Sequence, residues 1–512
     1  MAQLAASAGG ASLASMRPID DTGGHMAAQA PEVTLERRAV GLPTAVATTF
    51  SLIVASSVLA TVAGGFFASW VWLLALGIGF VTMLLASTSF AELATMIPKA
   101  GSMNEYVRAG LGPFFATITV GVGYVAVQLF PGTAENFVSA LITADVLGAP
   151  GDYKLWAAIF MGFIALINLL GIRPFAAVEI FLTFAVAASL LVIGIVGLTG
   201  AGTTDPIGSA LPDFDLTWSL LSALLGIAIF TFVGVEYTCP LAEELKQPSR
   251  DIPLGIFLGL GLIAVPIVLY GLGAARYVPA DVLGTLAPTL PVDVGVAIFG
   301  EAGKWWLGLL VIGGSIGTLN AVVAGVPRIL YGMALTRQLP SPFGWLIPAT
   351  RAPWVGIIAI TLIPILMNAF GAAEGAGFIK LILAGVLGWV TAYFLIHLSV
   401  VMLRLREPAA VRPYRSPLVP LPQFLGAGLL ALAAYKIAPP GVESNSIYYR
   451  WLIFLAIAAA FSLVYNVFAY RSLGAIFRPV PLAEVHRETE LIEEELPPPV
   501  EPGPPHVPRD PR

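Results

Sequence analysis

The sequence predicts an all-α integral membrane protein with about twelve transmembrane helices. Three observations lead to this prediction. The chain of 512 residues is 57% hydrophobic and only 11% charged, whereas soluble domains are roughly 45–50% apolar and about 25% charged. Its mean hydropathy is +0.86. Apolar runs of about 20 residues, the length that crosses a bilayer as a helix, follow one another between Pro43 and Tyr470.

The apolar runs are numbered here as spans 1 to 12 in chain order, and short polar loops connect them. We place them at 43–66, 70–95, 114–144, 154–172, 175–199, 217–239, 253–276, 305–336, 354–370, 377–403, 420–438 and 450–470. The flanking segments differ in composition. Residues 1–40 are rich in small residues, and residues 476–512 mix proline with glutamate. Such segments bury too little apolar surface to order themselves, so we expect disordered tails there.

The positions of the basic residues predict the orientation in the membrane. If the N-terminus is cytoplasmic, twenty of the 26 Lys and Arg residues fall in inner segments and five in outer loops, with Lys380 inside a span. Inner loops of membrane proteins carry this excess of positive charge. We therefore expect a multi-pass protein of the cell membrane with both termini in the cytoplasm. The single cysteine, Cys239, excludes an internal disulfide framework.

Two spans are interrupted by residues that do not suit a continuous membrane helix. Span 1 contains the small polar run Ala-Ser-Ser at 55–57, and span 6 contains Gly234, Glu236 and Pro240. The two spans lie five apart. Interrupted helices in corresponding positions of two halves indicate the midplane site of a secondary transporter with inverted repeats. The alternative is that serine and glycine here simply permit close helix packing.

Four motifs, spaced in order along the chain, resemble the amino acid–polyamine–organocation (APC) superfamily of transporters. They are FTFVGVE at 230–236 followed by AEELKQPSRDIP at 242–253, AELATMIPKAGS at 91–102 with YVR at 106–108, PRILYGMA at 327–334 with LP at 339–340, and RPYRSP at 412–417. One such motif is a weak signal. Four in register over residues 43–470 make the chain similar to an amino acid permease.

This resemblance implies a five-plus-five inverted-repeat core of the LeuT-like kind, formed by spans 1–10 within residues 41–403. Spans 11 and 12, within residues 404–475, would be peripheral. Helices 1 and 6 would be unwound at mid-membrane, with free N–H groups of helix 1 taking the carboxylate of the substrate and free carbonyls of helix 6 taking its amine. The physics agrees, because a helix N-terminus carries unpaired donors and a partial positive charge.

The resemblance also assigns candidate binding residues. By position they are Ala55, Ser56, Ser57 and Val58 in span 1, and Phe230, Thr231, Val233 and Gly234 in span 6. Phe230 is expected to close over the substrate, the alternative being core packing. The family has the pattern Gly-x-Gly-Ile in helix 1, which is Ala-Ser-Ser-Val here. The serine hydroxyls would protrude into the site, which argues for a small substrate or an altered head group.

The coupling ion stays open between sodium, a proton, and exchange without either. Some proton-coupled members carry a lysine in helix 5, but span 5 has no lysine and Glu179 is its only ionisable residue. Ser315 and Thr318 lie one turn apart in span 8, so their hydroxyls could ligate sodium, or could bond the local backbone. Glu236 could titrate or could support the helix break. No cofactor and no other metal site are predicted.

Rival functions are less well supported by the composition. A metal-dependent membrane enzyme lacks ligands, because the chain has only four His and one Cys. We expect a small-molecule substrate and the lipid bilayer as partners, and no nucleic acid. A polyamine site would need several carboxylates. Only Glu236 and Glu135 are available, and Glu135 is expected to face the outer vestibule. We therefore expect a symporter or exchanger of a small neutral amino acid, the alternative being a transporter of cationic amines, polyamines or another amine-bearing solute.

Overall fold

The computed structural model describes residues 34–487, and all twelve predicted spans are helical in it. The spans that run as single helices are Ser69–Met96 (span 2), Tyr153–Leu169 (4), Ile172–Thr199 (5), Pro248–Tyr277 (7), Glu301–Leu335 (8), Trp354–Ala369 (9), Gly377–Arg406 (10), Leu421–Tyr435 (11) and Asn445–Tyr470 (12). Eight helical stretches of the described residues are long and apolar enough to cross a membrane. Spans 4, 9 and 11 are shorter apolar helices. The prediction of an all-α, twelve-span membrane protein is confirmed.

Spans 1 and 6 are broken, as predicted. Span 1 consists of the helices Leu42–Ile53 and Ser56–Gly65. Span 6 begins as the α-helix Trp218–Phe230, loses helical geometry over 231–234, and continues as the tight 3₁₀ helix Val235–Leu241. Both breaks follow a first helix of similar length, and they place irregular backbone at membrane depth, which is tolerated only where protein encloses it.

Span 3 contains a third interruption. It runs from the α-helix Pro113–Val120 through a π-helical turn to the short helix Ala126–Leu129, and then restarts at Pro131–Leu141 before a second π-helical turn. The proline at the restart has no N–H to donate, so the preceding turn cannot continue undisturbed. Single π-helical turns of this kind occur frequently at functional sites.

The helix contacts repeat between two halves of five spans. The first helix of span 1 packs on span 7, and the first helix of span 6 packs on span 2. Span 4 contacts span 8 as span 9 contacts span 3, and span 5 contacts span 8 as span 10 contacts span 3. Adding five to the number of the first span of a pair, and subtracting five from the number of the second, gives the counterpart of each contact. This is the five-plus-five inverted repeat, with spans 11 and 12 packed on its outside.

Glycines permit two of these equivalent contacts. A Cβ on Gly79 of span 2 would lie 2.4 Å from the carbonyl oxygen of Ala228 in span 6. A Cβ on Gly255 of span 7 would lie 2.7 Å from the Cβ of Ala45 in span 1. The broken helices are thus held against their neighbours by backbone-to-backbone approach, which is how membrane helices associate without a hydrophobic driving force.

Both described ends of the chain lie on one face, called here the terminal face. The N–H of Arg38 donates to the carbonyl of Glu243 at 3.3 Å, and the N–H of Val480 donates to the carbonyl of Arg108 at 3.1 Å. The N–H of Ala100 donates to the Glu243 carboxylate at 3.0 Å, which connects the loop after span 2 to the loop after span 6. Residues 34–40 and 476–487 are therefore paired with these loops. The rest of the two predicted tails, 1–33 and 488–512, lies outside the described residues.

Candidate functional site

A cavity lies where the breaks of spans 1 and 6 meet spans 3, 8 and 10. The space that its lining atoms leave empty is about 410 Å³, part of which is open to solvent. The lining side chains are mostly apolar or aromatic, with four polar ones. The residues are Leu52, Ala55, Ser57, Val127, Gln128, Pro131, Gly132, Glu135, Phe230, Val233, Thr318, Leu319, Val322 and Trp389. The space is narrow, so a bound ligand of more than a few atoms requires the surrounding helices to move.

The span 6 half of the site offers hydrogen-bond acceptors. Gly234 has a φ of +108°, and a Cβ there would lie 2.6 Å from Leu52. A residue with a side chain would be strained in this conformation, which only glycine adopts readily. The turn leaves the carbonyls of Thr231, Phe232 and Val233 without a backbone donor among the described residues. Unpaired carbonyls at a helix break can accept from a cation or an amine.

Glu236 supports this turn from behind. Its side chain is fully buried, and the hydroxyl of Tyr393 in span 10 donates to it at 2.5 Å. The same Tyr393 hydroxyl accepts from the N–H of Gly234 at 3.3 Å. Glu236 does not line the cavity. The arrangement ties the broken part of span 6 to span 10 through one tyrosine.

The span 1 half of the site already holds a carboxylate. Glu135 of span 3 accepts from the backbone N–H of Ser56 at 2.6 Å and of Ser57 at 3.0 Å. It also accepts from the hydroxyl of Ser56 at 2.7 Å and from that of Ser315 at 2.7 Å. The N–H groups of Ser56 and Ser57 are donors that the N-terminus of the second helix of span 1 leaves without a partner within that helix. The expectation that Glu135 faces the outer vestibule was wrong, because the break at Pro131 turns it to the centre of the protein.

The remaining predicted residues divide between the cavity and its surroundings. Thr318 lines the cavity and its hydroxyl donates to the carbonyl of Ser51 at 2.7 Å. Glu179 lies away from the cavity, buried, and accepts from the side chain of Asn320 at 2.8 Å. The other predicted residues that do not line the cavity are Ser56, Val58, Thr231, Gly234 and Ser315.

Sequence reasoning missed two polar side chains of the cavity. Gln128 is fully buried, and its carbonyl oxygen has no donor among the described residues. The indole N–H of Trp389 likewise has no acceptor there, and its ring lies 6.2 Å from that of Phe230. A polar amide three residues before the Pro-Gly pair of span 3 was a usable signal for Gln128. Trp389 sits in an uninterrupted apolar span, where no pattern distinguishes a cavity residue from a packing one.

The terminal face is closed by buried ion pairs. Arg328 of span 8 and Glu244 of the loop after span 6 form a two-point pair, with one contact at 2.9 Å between Arg328 Nη2 and Glu244 Oε1. Both side chains are at most 3% exposed. Glu92 at the end of span 2 similarly binds Arg404 at 2.7 Å and Arg412 at 3.1 Å. The Glu244–Arg328 pair joins the loop after the broken span 6 to span 8.

Comparison with known proteins identifies the family. A sequence model described as "Amino acid permease" matches residues 40–465. The chain is 25% identical to the serine/threonine exchanger SteT of Bacillus subtilis over 70% of this chain and 80% of that protein. It is 25% identical to the methylthioribose transporter of the same organism over 75% of this chain and 83% of that protein.

Two further similarities extend this result. The chain is 28% identical to cationic amino acid transporter 4, vacuolar, of Arabidopsis thaliana over 55% of this chain, and the match spans 49% of that protein. The solved structure of Mhp1, a nucleobase–cation symport family transporter in a closed conformation with bromovinylhydantoin bound, has a TM-score of 0.52. It is 16% identical, covering 86% of this chain and 96% of Mhp1, and shows the fold alone. Since the family model covers most of the chain, this protein belongs to the amino acid permease family of multi-pass membrane transporters and is not an enzyme.

Proposed function

We propose that this chain is a secondary active transporter that carries a small amine-bearing solute across the cell membrane by alternating access. The observation that carries the proposal is the cavity between two broken helices, whose lining includes Val233, a residue with a carbonyl that has no backbone donor among the described residues. This carbonyl is an acceptor suited to an ammonium group. The buried pairs that close the terminal face would have to separate for the solute to leave on that side, which we assign to the cytoplasm from the Lys and Arg distribution.

A small neutral amino acid is the first candidate for the solute, on the strength of the family. Serine, threonine and cationic amino acids appear in the names of relatives, and so does methylthioribose, a sugar thioether without a carboxylate. The family thus spans solutes with and without a carboxylate. The second candidate is a cationic amine, which one observation favours: Glu135 occupies the N–H groups of Ser56 and Ser57 that a substrate carboxylate would need.

Symport and exchange both remain open mechanisms for this chain, and we propose Ser315 and Thr318 as the place to test for a coupling cation. Their hydroxyls face span 1, where Thr318 donates to the carbonyl of Ser51, and Ser315 donates to Glu135 and lies 2.8 Å from the hydroxyl of Ser56. A sodium ion binding here would replace these donated bonds by ligation. Substitution of Thr318 by valine would then abolish sodium dependence without preventing exchange.

The test is uptake by the purified full-length protein in proteoliposomes. Labelled amino acids and amines are offered separately, with a sodium gradient, a pH gradient, or neither, and with or without internal solute. Accumulation of any amine-bearing solute above protein-free vesicles supports the proposal, and the gradient that drives it names the coupling ion. Dependence on internal solute alone identifies an exchanger. Failure of every amino acid and amine to accumulate or exchange refutes it.

A further inference from the structure

We propose that the solute of this transporter is a small organic monocation, a primary or secondary ammonium ion that has no carboxylate beside its amine. This rests on the proposed function and narrows its substrate class. The protein itself supplies the carboxylate, as Glu135, that an amino acid would otherwise bring to the N-terminus of the second helix of span 1.

The anion position of the site is full. Glu135 Oε1 accepts from the N–H of Ser56, the hydroxyl of Ser56 and the hydroxyl of Ser315, at 2.6, 2.7 and 2.7 Å. Its Oε2 takes the N–H of Ser57 at 3.0 Å. Charge-assisted bonds of this kind are about twice as strong as neutral ones. A substrate carboxylate at the same place would have to displace Glu135 or lie beside a like charge.

No cationic side chain in the described lining compensates the negative charge of a second carboxylate. The lining contains no lysine, arginine or histidine among the described residues. The lining side chains offer only neutral donors: the Ser57 hydroxyl, the indole N–H of Trp389, and the amide of Gln128, which donates one of its two hydrogens to the carbonyl of Ile360 at 3.3 Å. Two carboxylates that share a buried site cannot both ionise readily. Without a cationic side chain in the described lining, the charge of a second carboxylate beside Glu135 is not compensated.

The same cavity is rich in groups that attract a cation. Oε2 of Glu135 has a single donor, and the buried oxygen of Gln128 has none among the described residues. Val233 lines the cavity as well, and its carbonyl has no backbone donor among the described residues. The rings of Phe230 and Trp389 both line the space, and a cation over an aromatic face gains further from the ring quadrupole. Acceptors thus surround the cavity on the span 3 and span 6 sides.

The charge and size of the cavity restrict the cation to one amine. Glu135 is the single ionisable side chain in the lining, because Glu236 points to Tyr393 and does not reach the space. A diamine or polyamine would leave a second ammonium group buried without a counter-ion, which is costly. The narrow volume also favours a short aliphatic body against Val127, Leu319 and Val322.

The experiment compares ligands that differ only in the carboxylate. Isobutylamine and valine share one apolar body, as do ethylamine and alanine, and putrescine serves as the dication. Binding to the full-length protein is measured by isothermal titration calorimetry, and uptake is measured in proteoliposomes, both at pH 7. We expect isobutylamine to bind at least tenfold more tightly than valine and putrescine. We expect Glu135→Gln to lower isobutylamine affinity at least tenfold, while Glu301→Gln, an exposed carboxylate outside the cavity, leaves it unchanged.

The outcomes separate this inference from the function on which it rests. Transport of valine in preference to isobutylamine overturns the inference and leaves the transporter of amine-bearing solutes standing. Tighter binding of putrescine than of isobutylamine refutes the inference that the solute carries a single positive charge. If Glu135→Gln fails to fold, the ligand comparison on the unmodified protein decides, and transport of none of these solutes refutes the proposed function itself.

Discussion

Removal of the charge of Glu244 should open the terminal face. The carboxylate of Glu244 and the guanidinium of Arg328 are 2% and 3% exposed. Breaking such a pair from one side leaves an uncompensated buried charge, which costs roughly 3–5 kcal/mol. In Glu244→Gln the amide oxygen keeps one acceptor, so we take the lower end of this range. The open arrangement, where Arg328 reaches water, escapes the penalty.

The expected magnitude follows from the population of the open arrangement. A penalty of about 3 kcal/mol on the closed state raises the ratio of open to closed protein by roughly two orders of magnitude, since each 1.4 kcal/mol is a factor of about ten. The penalty also falls on the folded state as a whole. Circular dichroism and thermal melts therefore accompany the measurement, to confirm that the variant remains folded at the assay temperature.

The single cysteine provides the assay. Cys239 is fully buried near the C-terminal end of span 6, three residues before the loop that carries Glu244. Its alkylation by a small maleimide in detergent reports how often this part of the protein opens, and the rate follows the open population when closing is faster than reaction. We expect about a 100-fold faster reaction in Glu244→Gln. The matched control is Glu301→Gln, which removes an exposed carboxylate 3.9 Å from Lys304, and should leave the rate unchanged. Equal rates in the two variants would refute the closing role of the pair.

Three further predictions concern the broken helices. Gly234→Ala should destabilise the protein by about 1–2 kcal/mol because alanine is strained in the left-handed backbone conformation, and its melting temperature should fall. Gly162→Ala is the control, because nothing lies within 4 Å of the added Cβ. Equal melting temperatures of the two variants would contradict the predicted strain. Tyr393→Phe removes the donor of Glu236 and should cost about 1–3 kcal/mol, measured by the same melts, and Glu236→Gln in that background should recover part of the loss. Phe230→Ala should reduce uptake at least tenfold while membrane insertion is unchanged; unaltered uptake would make its role core packing.

Much of the fold could be predicted because it follows from local physics. Each span must be apolar along its length and must satisfy its own backbone hydrogen bonds in lipid, so hydropathy predicts the number and approximate bounds of the helices. The breaks also leave local signals. Gly234 is required by a φ of +108°, and Pro131 begins a new helix in span 3.

The partners across the centre of the protein could not be predicted in the same way. Glu135 was recognisable as an ionisable residue at membrane depth, and its direction was nevertheless predicted wrongly. Which way it faces depends on the π-helical turns and the restart of span 3, which rotate the side chain by amounts that a hydropathy pattern does not contain. Trp389 and Tyr393 lie in a regular apolar helix and carry no local mark of their roles.

By itself the sequence determined the class of protein, the twelve spans and the two broken helices, because each depends on residues within one helix. Only the tertiary structure decided what the broken helices bind. The N–H groups of Ser56 and Ser57 are unpaired donors in any sequence-based description of span 1, and they become the site of Glu135 once span 3 packs beside them. Hydrogen bonding between residues 78 or 79 positions apart is a property of the packed spans, and through it a carboxylate of the protein itself occupies the expected carboxylate site.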